Sequence, residues 1–343
     1  IIINGDMTIS QRLETKTGMG GGDGVYPTID RYRHSITNAG GAGRFTSTQQ
    51  AVTDIAGFTE SLNIDCTTAD TSIAAGEEFH IDQRIEGRSV QGFQKGFSTA
   101  LGFTVALYVK AQDAKVYAVE LKDTDNNRHC TKLFTSTTGW TRHVLNYPAD
   151  TSGKFSGDTS VSLEVKIWLH AGSNFTSGTL ASVWQGVTTA NTCAGIGSVY
   201  DNTDNFVSIT GLQLEVGTFS ASTIPDFQFE SESDNLFRCQ RYCKAITKTN
   251  NYCAVMLAHG IDANTARGAY FFHPPMRTAP SFTATGNFIR SFDAATALSS
   301  QVATSCPESH TIDWGGSNLF GANEGILITF NTTAAALIYS AEL

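Results

Sequence analysis

Three groups of residues in this chain could do chemistry: four tryptophans, eight histidines together with seven cysteines, and two Asp/Asn-rich turns. The histidines form no HExxH or HxH pattern and the cysteines no Cys-x2-Cys, so the usual spacing for two ligands on one ion is missing. Cys239 and Cys243 stand four apart and would share a helix face, yet no second pair lies at zinc-site distance. Both read as small buried hydrophobes that pack a helix between two domains. The odd cysteine total excludes a disulfide framework that pairs them all. Oxygen ligands of the kind calcium takes occur at Asp123 and Asp125 with Asn126 and Asn127, and at Asp201 and Asp204 with Asn202 and Asn205. Neither loop has the sixth-position Gly and twelfth-position Glu of an EF-hand, and Asp and Asn are favoured turn formers. Plain turns are the default, and no metal or other cofactor is expected.

A sugar ring offers an apolar face that stacks on an aromatic ring and hydroxyls that seek planar polar side chains. Trp140, Trp184, Trp314 and Tyr200 are the candidate platforms; Trp184 lies in a loop-rich stretch and Trp314 precedes Gly315-Gly316. Trp168, Tyr26 and Tyr108 are further aromatics of this kind, with Trp168 inside an alternating strand. Cleavage of a polysaccharide would need two carboxylates poised across a cleft, and no pair stands out in the sequence. Met19 to Gly24 (MGGGDG) lacks the Lys-Ser/Thr of a phosphate loop and reads as a flexible loop. No catalytic residue is nominated and the chain is expected not to be an enzyme.

The elements that must position these residues are strands. Only 16% of the 343 residues are charged, with Gly, Ser, Thr, Asn and Ala abundant, which suits many short strands and tight turns. Phe103 to Lys110, Val116 to Leu121, Val161 to Leu169 and Val207 to Val216 are β-type runs, separated by turns at Asp123 to Asn127, Thr151 to Asp158 and Asp201 to Asn205. FTVALYVK suits a strand covered on both faces, whereas VSLEVKIWL alternates and suits one wet face. The spacing predicts a jelly-roll-like β-sandwich over 1–228, a connecting helix within 229–246, and a second, smaller β domain over 247–343. The helix is expected over Ser231 to Ala245, where Leu236, Cys239, Tyr242 and Cys243 fall at 3/4 spacing. Further strands are expected at Tyr252 to Ala258, Gly268 to Phe272, Ser281 to Ile289, Gly325 to Phe330 and Ala335 to Leu343. With a net charge of -9 and no run of Lys or Arg, nucleic acid is an unsuitable partner. No apolar stretch reaches the roughly 20 residues needed to span a bilayer, so no membrane insertion is expected. The sequence shows no secretion signal and begins at Ile1, which leaves room for a preceding attachment segment.

Seven short segments, in order, carry a resemblance. They are Asn4-Gly5-Asp6-Met7 with Gln11-Arg12, Asp30-Arg31-Tyr32-Arg33, Gln83-Arg84-Ile85-Glu86-Gly87, Gly211-Leu212-Gln213-Leu214-Glu215-Val216-Gly217, Cys239-Gln240-Arg241-Tyr242, Pro275-Met276-Arg277-Thr278-Ala279-Pro280 and Ala341-Glu342-Leu343. Together they resemble bacteriophage virion structural proteins of the tail-fibre or capsid-associated group, with carbohydrate-binding-module-like sandwiches; Cys243 stands where that group's CQRYY signature ends in Tyr. The resemblance implies a tail fibre, tip or surface fibre subunit on the particle exterior, a partner in other virion subunits, homo-oligomers with a trimer preferred, and attachment to host cell-surface glycan. A decoration protein contacting only other virion subunits is the second reading, and a polysaccharide depolymerase the third. From the residues alone, Arg84 and Glu86 lie two apart on a strand and share a face, where a pair would lock strand ends with Gln11-Arg12 nearby. A structural arginine network is favoured over a ligand groove for these positions.

Overall fold

The computed structural model describes residues 1–22, 25–37, 41–247, 253–290, 297–331 and 335–343. The chain divides into two compact units, Ile1–Glu232 with Leu343, and Ser233–Glu342. The first unit runs β1 (Thr15–Met19), β2 (Arg33–Thr37), β3 (Arg44–Ala51), β4 (Glu60–Thr68), β5 (Glu78–Glu86), β6 (Phe103–Ala111), β7 (Val116–Asp123), β8 (Arg128–Thr135), β9 (Thr141–Tyr147), β10 (Val161–Ala171), a one-turn helix α1 (Ser173–Thr176), β11 (Gln185–Gly186) and β12 (Phe206–Val216). Two six-stranded sheets result, ordered β1-β3-β4-β12-β6-β9 and β11-β8-β7-β10-β5-β2, with antiparallel pairing throughout.

The pairing is that of a jelly roll. β7 pairs with β8, β6 with β9, β5 with β10 and β4 with β12, a set of nested hairpins centred on the Asp123 to Arg128 turn. Rolling that long hairpin brings β12 against β6 and β10 against β7, which closes both sheets. The inward residues, among them Phe79, Ile81, Phe103, Val105, Leu107, Leu163, Val165, Ile167, Ile209 and Leu214, form one continuous core. Each of the four β-type runs read from the sequence in this unit is a strand here. β10 departs from expectation on its other face: Glu164, Lys166 and Trp168 are buried rather than wet. The residues at 173–193 lie over that face, and charged neighbours from β5 and β7 pair with its charges.

The resemblance motifs of this unit converge in space. Asn4 has a left-handed backbone and its side chain bonds Ile9 and the Asp30 carbonyl, folding the first residues into a fixed turn. A Cβ on Gly5 would lie 2.3 Å from the Leu212 carbonyl, and the Leu212 N–H donates to Gly5, so only glycine lets this segment dock on β12. Gln83 grips the Ile3 backbone through two hydrogen bonds of 2.8 and 2.9 Å. Buried Asp30 accepts from Gln11 and faces Arg12 at 3.8 Å, while buried Arg31 donates to the Arg84 carbonyl at 2.6 Å. The expected Arg84–Glu86 pair does not form. Arg84 faces Asp82, two back along its own strand, at 3.4 Å and Glu164, directly opposite on β10, at 3.1 Å, and these two carboxylates take the guanidinium in place of Glu86. Glu86 lies buried opposite Val161.

The second unit opens with α2 (Glu232–Gln240), followed by β13 (Cys243–Ile246), β14 (Ala254–Gly260), β15 (Thr265–Phe271), β16 (Ser281–Thr285), β17 (Phe288–Arg290), β18 (Ser299–Ser305), β19 (Ser309–Gly315), β20 (Gly325–Phe330) and β21 (Ala336–Ser340). Its sheets are ordered β17-β20-β14-β15-β19-β18 and β13-β21-β16. Their core holds Met256, Ile312, Trp314, Ile328, Phe330, Leu337 and Tyr339. The helix is shorter than its sequence pattern suggested and falls, but for Glu232, inside this unit. It ends at Gln240 because Tyr242 turns back to the Cys239 carbonyl and Cys243 onward pairs with β21, so Cys239 and Cys243 sit on different elements. The predicted Ser281 to Ile289 strand is two strands, broken at Gly286, whose φ is 74°. Tyr252, Asp23 and Gly24 fall outside the described residues. The later motifs also converge: Arg277 donates from its backbone to the Arg241 carbonyl and from its guanidinium to Ala341 and Glu342, and Ala341 donates to Tyr242.

One core residue makes stability depend on pH. His34, fully buried, stacks on Phe45 and Phe79 and meets Ser47 Oγ at 3.0 Å. Burial pulls its pKa from 6.5 down to about 4. The unfolded chain therefore takes up the proton first, so stability is complete above about pH 6.5 and falls as pH drops toward 4, by on the order of 3 kcal/mol from this residue. Burial also lowers His143 and His170 in this unit, with the same sign. Urea titrations from pH 7 to pH 4 should show this decline, and His34→Gln, which keeps a polar partner for Ser47 without a titrating ring, should flatten it.

Candidate functional site

Of the four aromatic platforms, three are packing residues. Trp184 is buried in the first core with its indole N–H donated to the Pro148 carbonyl, Tyr200 is buried beside Phe45 and Phe79, and Trp314 is fully buried in the second core. Trp168 is buried as well, and Tyr108 is half covered by Phe58 and the Arg142 guanidinium. Tyr26 carries the Arg12 guanidinium over its ring at 5.3 Å. Trp140 is different. It sits just before β9 in a turn held by Thr137, whose hydroxyl donates to the Gly139 carbonyl and meets the Thr141 hydroxyl, and it is partly exposed.

Trp140 forms one side of a cleft of about 590 Å³ on the outer face of the β3-β4-β12-β6 strands. The strand register supplies the floor. Ser208 on β12 lies directly between Asn63 on β4 and Lys110 on β6, and Asp65 lies opposite Phe206. Because side chains alternate, Asn63 and Asp65 point to the same face. Ser208 donates its hydroxyl to Asn63 Oδ1 at 2.8 Å, which orients the amide so that its NH2 group has no partner among the described residues. Asp54, from the loop after β3, accepts the Trp140 indole N–H at 2.8 Å through one oxygen and the Lys110 ammonium at 2.6 Å through the other. Those hydrogen bonds hold the Asp54 carboxyl below the usual carboxylate range, Lys110 contributing most. Asp65 has no ion pair among the described residues, and partial burial raises its pKa. The cleft thus combines a fixed indole, a free amide donor, an open carboxylate acceptor and an ammonium, the set that grips a sugar by ring face and hydroxyls.

Asp54, Asn63, Asp65 and Lys110 were not singled out in the sequence. The alternation of LNID in β4 placed Asn63 and Asp65 on one face, but only the β3-β4-β12-β6 order sets them beside Trp140. The Asp-rich turns are occupied by lysines. Asp123 is fully buried against Lys95, which also reaches Asp150 at 3.1 Å and the Ser152 and Gly153 carbonyls. Asp125 caps the Ser156 N–H, Asp201 pairs with Lys115, and the Asp204 N–H is capped by Asn202. An ammonium therefore fills the place a calcium ion would take at Asp123 and at Asp201. Cys239, Cys243, Tyr242 and Arg241 belong to the packing of the second unit, with both thiols buried and Arg241 beside the Tyr242 ring. Lys95→Met would leave Asp123 without its buried counter-charge. Chemical denaturation should register a loss of about 3–5 kcal/mol, with the transition remaining cooperative.

No protein-family model and no curated protein matches the sequence. Among solved structures the chain is similar to a CBM4 structure, at 8% identity over 63% of this chain and 99% of that one, TM-score 0.33. It is also similar to the family 11 carbohydrate-binding module of a Clostridium thermocellum cellulosomal cellulase, at 8% identity over 60% and 97% of the two chains, TM-score 0.28. A third similar structure is the enzymatically active domain of tailspike protein 4 of bacteriophage CBA120, at 10% identity, TM-score 0.31; it shares 58% of this chain but only 21% of its own length.

Proposed function

We propose that the first unit binds glycan at the Trp140 cleft without cleaving it, and that the chain is an attachment subunit on the exterior of a phage particle. The observation that carries the glycan reading is Trp140 itself. Its indole N–H is already engaged by Asp54, so the ring is held in place and its remaining capacity is its apolar face. Asn63 and Asp65 then present a donor and an acceptor beside that face, which supports recognition of a ring that is apolar above and hydroxylated at its edge. The particle reading draws its support from the ordered sequence motifs, which the fold gathers into one cluster in each unit.

The depolymerase reading has one observation in its favour. Two carboxylates with oppositely shifted pKa values, Asp54 lowered and Asp65 raised, share the cleft, the pattern that assigns acid and base in glycosidases. Against it, Asp54, the group that would have to serve as base or nucleophile, is already tied to the Trp140 indole N–H and the Lys110 ammonium. A decoration protein contacting only virion subunits would retain no glycan.

A glycan array and retention on immobilised bacterial surface polysaccharide separate these readings. The intact chain should be retained, Trp140→Ala should weaken binding by at least about tenfold, and no reducing ends should appear. Equal retention of the variant would sink the cleft, no retention by either protein would favour the decoration reading, and reducing ends that vanish in Asp65→Asn would establish cleavage.

A further inference from the structure

The outer face of the other sheet holds a second concavity of about 330 Å³, at the small end of the range for small-molecule sites. Its floor is a charge lattice set by register. Arg33, Asp82, Lys166 and Glu120 stand directly opposite one another on β2, β5, β10 and β7, and Arg84, Glu164 and Lys122 form the adjacent row. The signs alternate, but the depths do not. Asp82 and Glu164 are 0% and 7% exposed, whereas Arg33, Arg84 and Lys166 are 20%, 24% and 11% exposed. Apart from Glu78 near the end of β5, which accepts from the Thr37 hydroxyl, an incoming ligand therefore meets cations before carboxylates. Burial opposes the charge on Lys166, but Glu120 and Glu164 outweigh it and keep the ammonium charged. Likewise burial opposes ionisation of Glu120, but His129, Lys166 and Trp168 outweigh it and hold the carboxyl at about 2.

Two of the lining groups have capacity left over. Lys122 makes no ion pair among the described residues. His80 is 3% exposed, its ring tilted 4.4 Å from that of Trp168; its Nε2 faces Asp82 at 3.5 Å, while its Nδ1 makes no hydrogen bond. A buried ring with an unspent polar atom is costly unless something else engages it. Phe175 and Val187 supply an apolar wall, and Thr192 a hydroxyl.

We propose that this pocket is a second ligand site, independent of the Trp140 cleft, for a sugar residue bearing one carboxylate, a hexuronate. Arg84 and Lys122 meet the carboxylate, His80 and Glu164 the ring hydroxyls, and Phe175 with Val187 the apolar ring face. The buried carboxylates below set the charge limit: they tolerate a monoanion and repel a dianion such as phosphate.

Calorimetric titration of the full chain with D-glucuronate, D-glucose and inorganic phosphate tests this. Glucuronate should bind at millimolar concentration, at least about tenfold tighter than glucose or phosphate, and more weakly in high salt. Lys122→Gln and His80→Phe should each weaken glucuronate binding by about tenfold or more, while Trp140→Ala should leave it unchanged. Should His80→Phe fail to fold, the rim variant Lys122→Gln carries the test. Equal affinity for glucose or phosphate, no binding of glucuronate, or wild-type binding by Lys122→Gln would overturn the proposal. Loss of glucuronate binding in Trp140→Ala would overturn it too, by placing the ligand in the first cleft. Failure on the glycan array touches only the first cleft.

Discussion

A β-strand turns alternate side chains to opposite sides, so a strand that serves a sandwich core with one face must find an arrangement for the other. In the first unit the inner faces are uniform, a continuous apolar core shared by both sheets. The distinctive chemistry is on the outside. On the β3-β4-β12-β6 side, Phe58, Phe227 and Phe229 pack together beside Tyr108 and cover part of the face, leaving the Trp140 end open. On the β2-β5-β10-β7 side the outer residues are charged and mostly dry. Slipping β5 by one residue against β10 would expose apolar side chains and also break the Arg84–Glu164 pairing, so register is fixed from both faces.

That division explains what the sequence disclosed. The jelly roll was legible because β6, β7, β10 and β12 carry apolar side chains dense enough to read as strands. In the first hundred residues only Gln83 to Gly87 reads as strand, although β1 to β5 lie there. β3, for example, is RFTSTQQA, with Phe45 as its one large apolar side chain, and becomes a strand by pairing with β4 rather than by its own pattern. Exposure was the least legible property. Nothing local distinguishes Trp184 or Trp314, which the cores swallow, from Trp140, which a Thr-anchored turn lifts to the surface. VSLEVKIWL alternates as a half-wet strand should, and its polar side is made dry by the irregular residues at 173–193 and by the charges of β5 and β7, none of which its own pattern shows.

The short motifs gain a physical meaning from the fold. Asn4, Gly5, Asp30, Arg31, Gln83 and Leu212 are far apart in sequence yet meet in one knot, where a turn, a glycine contact and a two-bond amide clasp fix the start of the chain to β5 and β12. In the second unit Arg277 does the same for the segments around Arg241 and Ala341. Such residues tolerate little change because each bonds to main chain, which no neighbouring substitution can replace.

The nested hairpins also bear on how the first unit comes together. Strands β7 and β8 are joined by a short turn and can pair early at little entropic cost, whereas β4 and β12 come from opposite ends of the unit. Each pair that forms brings the ends of the next pair closer, so assembly from the turn outward divides one large loop closure into several small ones. Until the last closure β12 lacks β4, and its backbone edge beside an apolar face is open to any other chain with an unpaired strand. Crowded synthesis of many copies is therefore the situation in which this architecture is most exposed to mispairing.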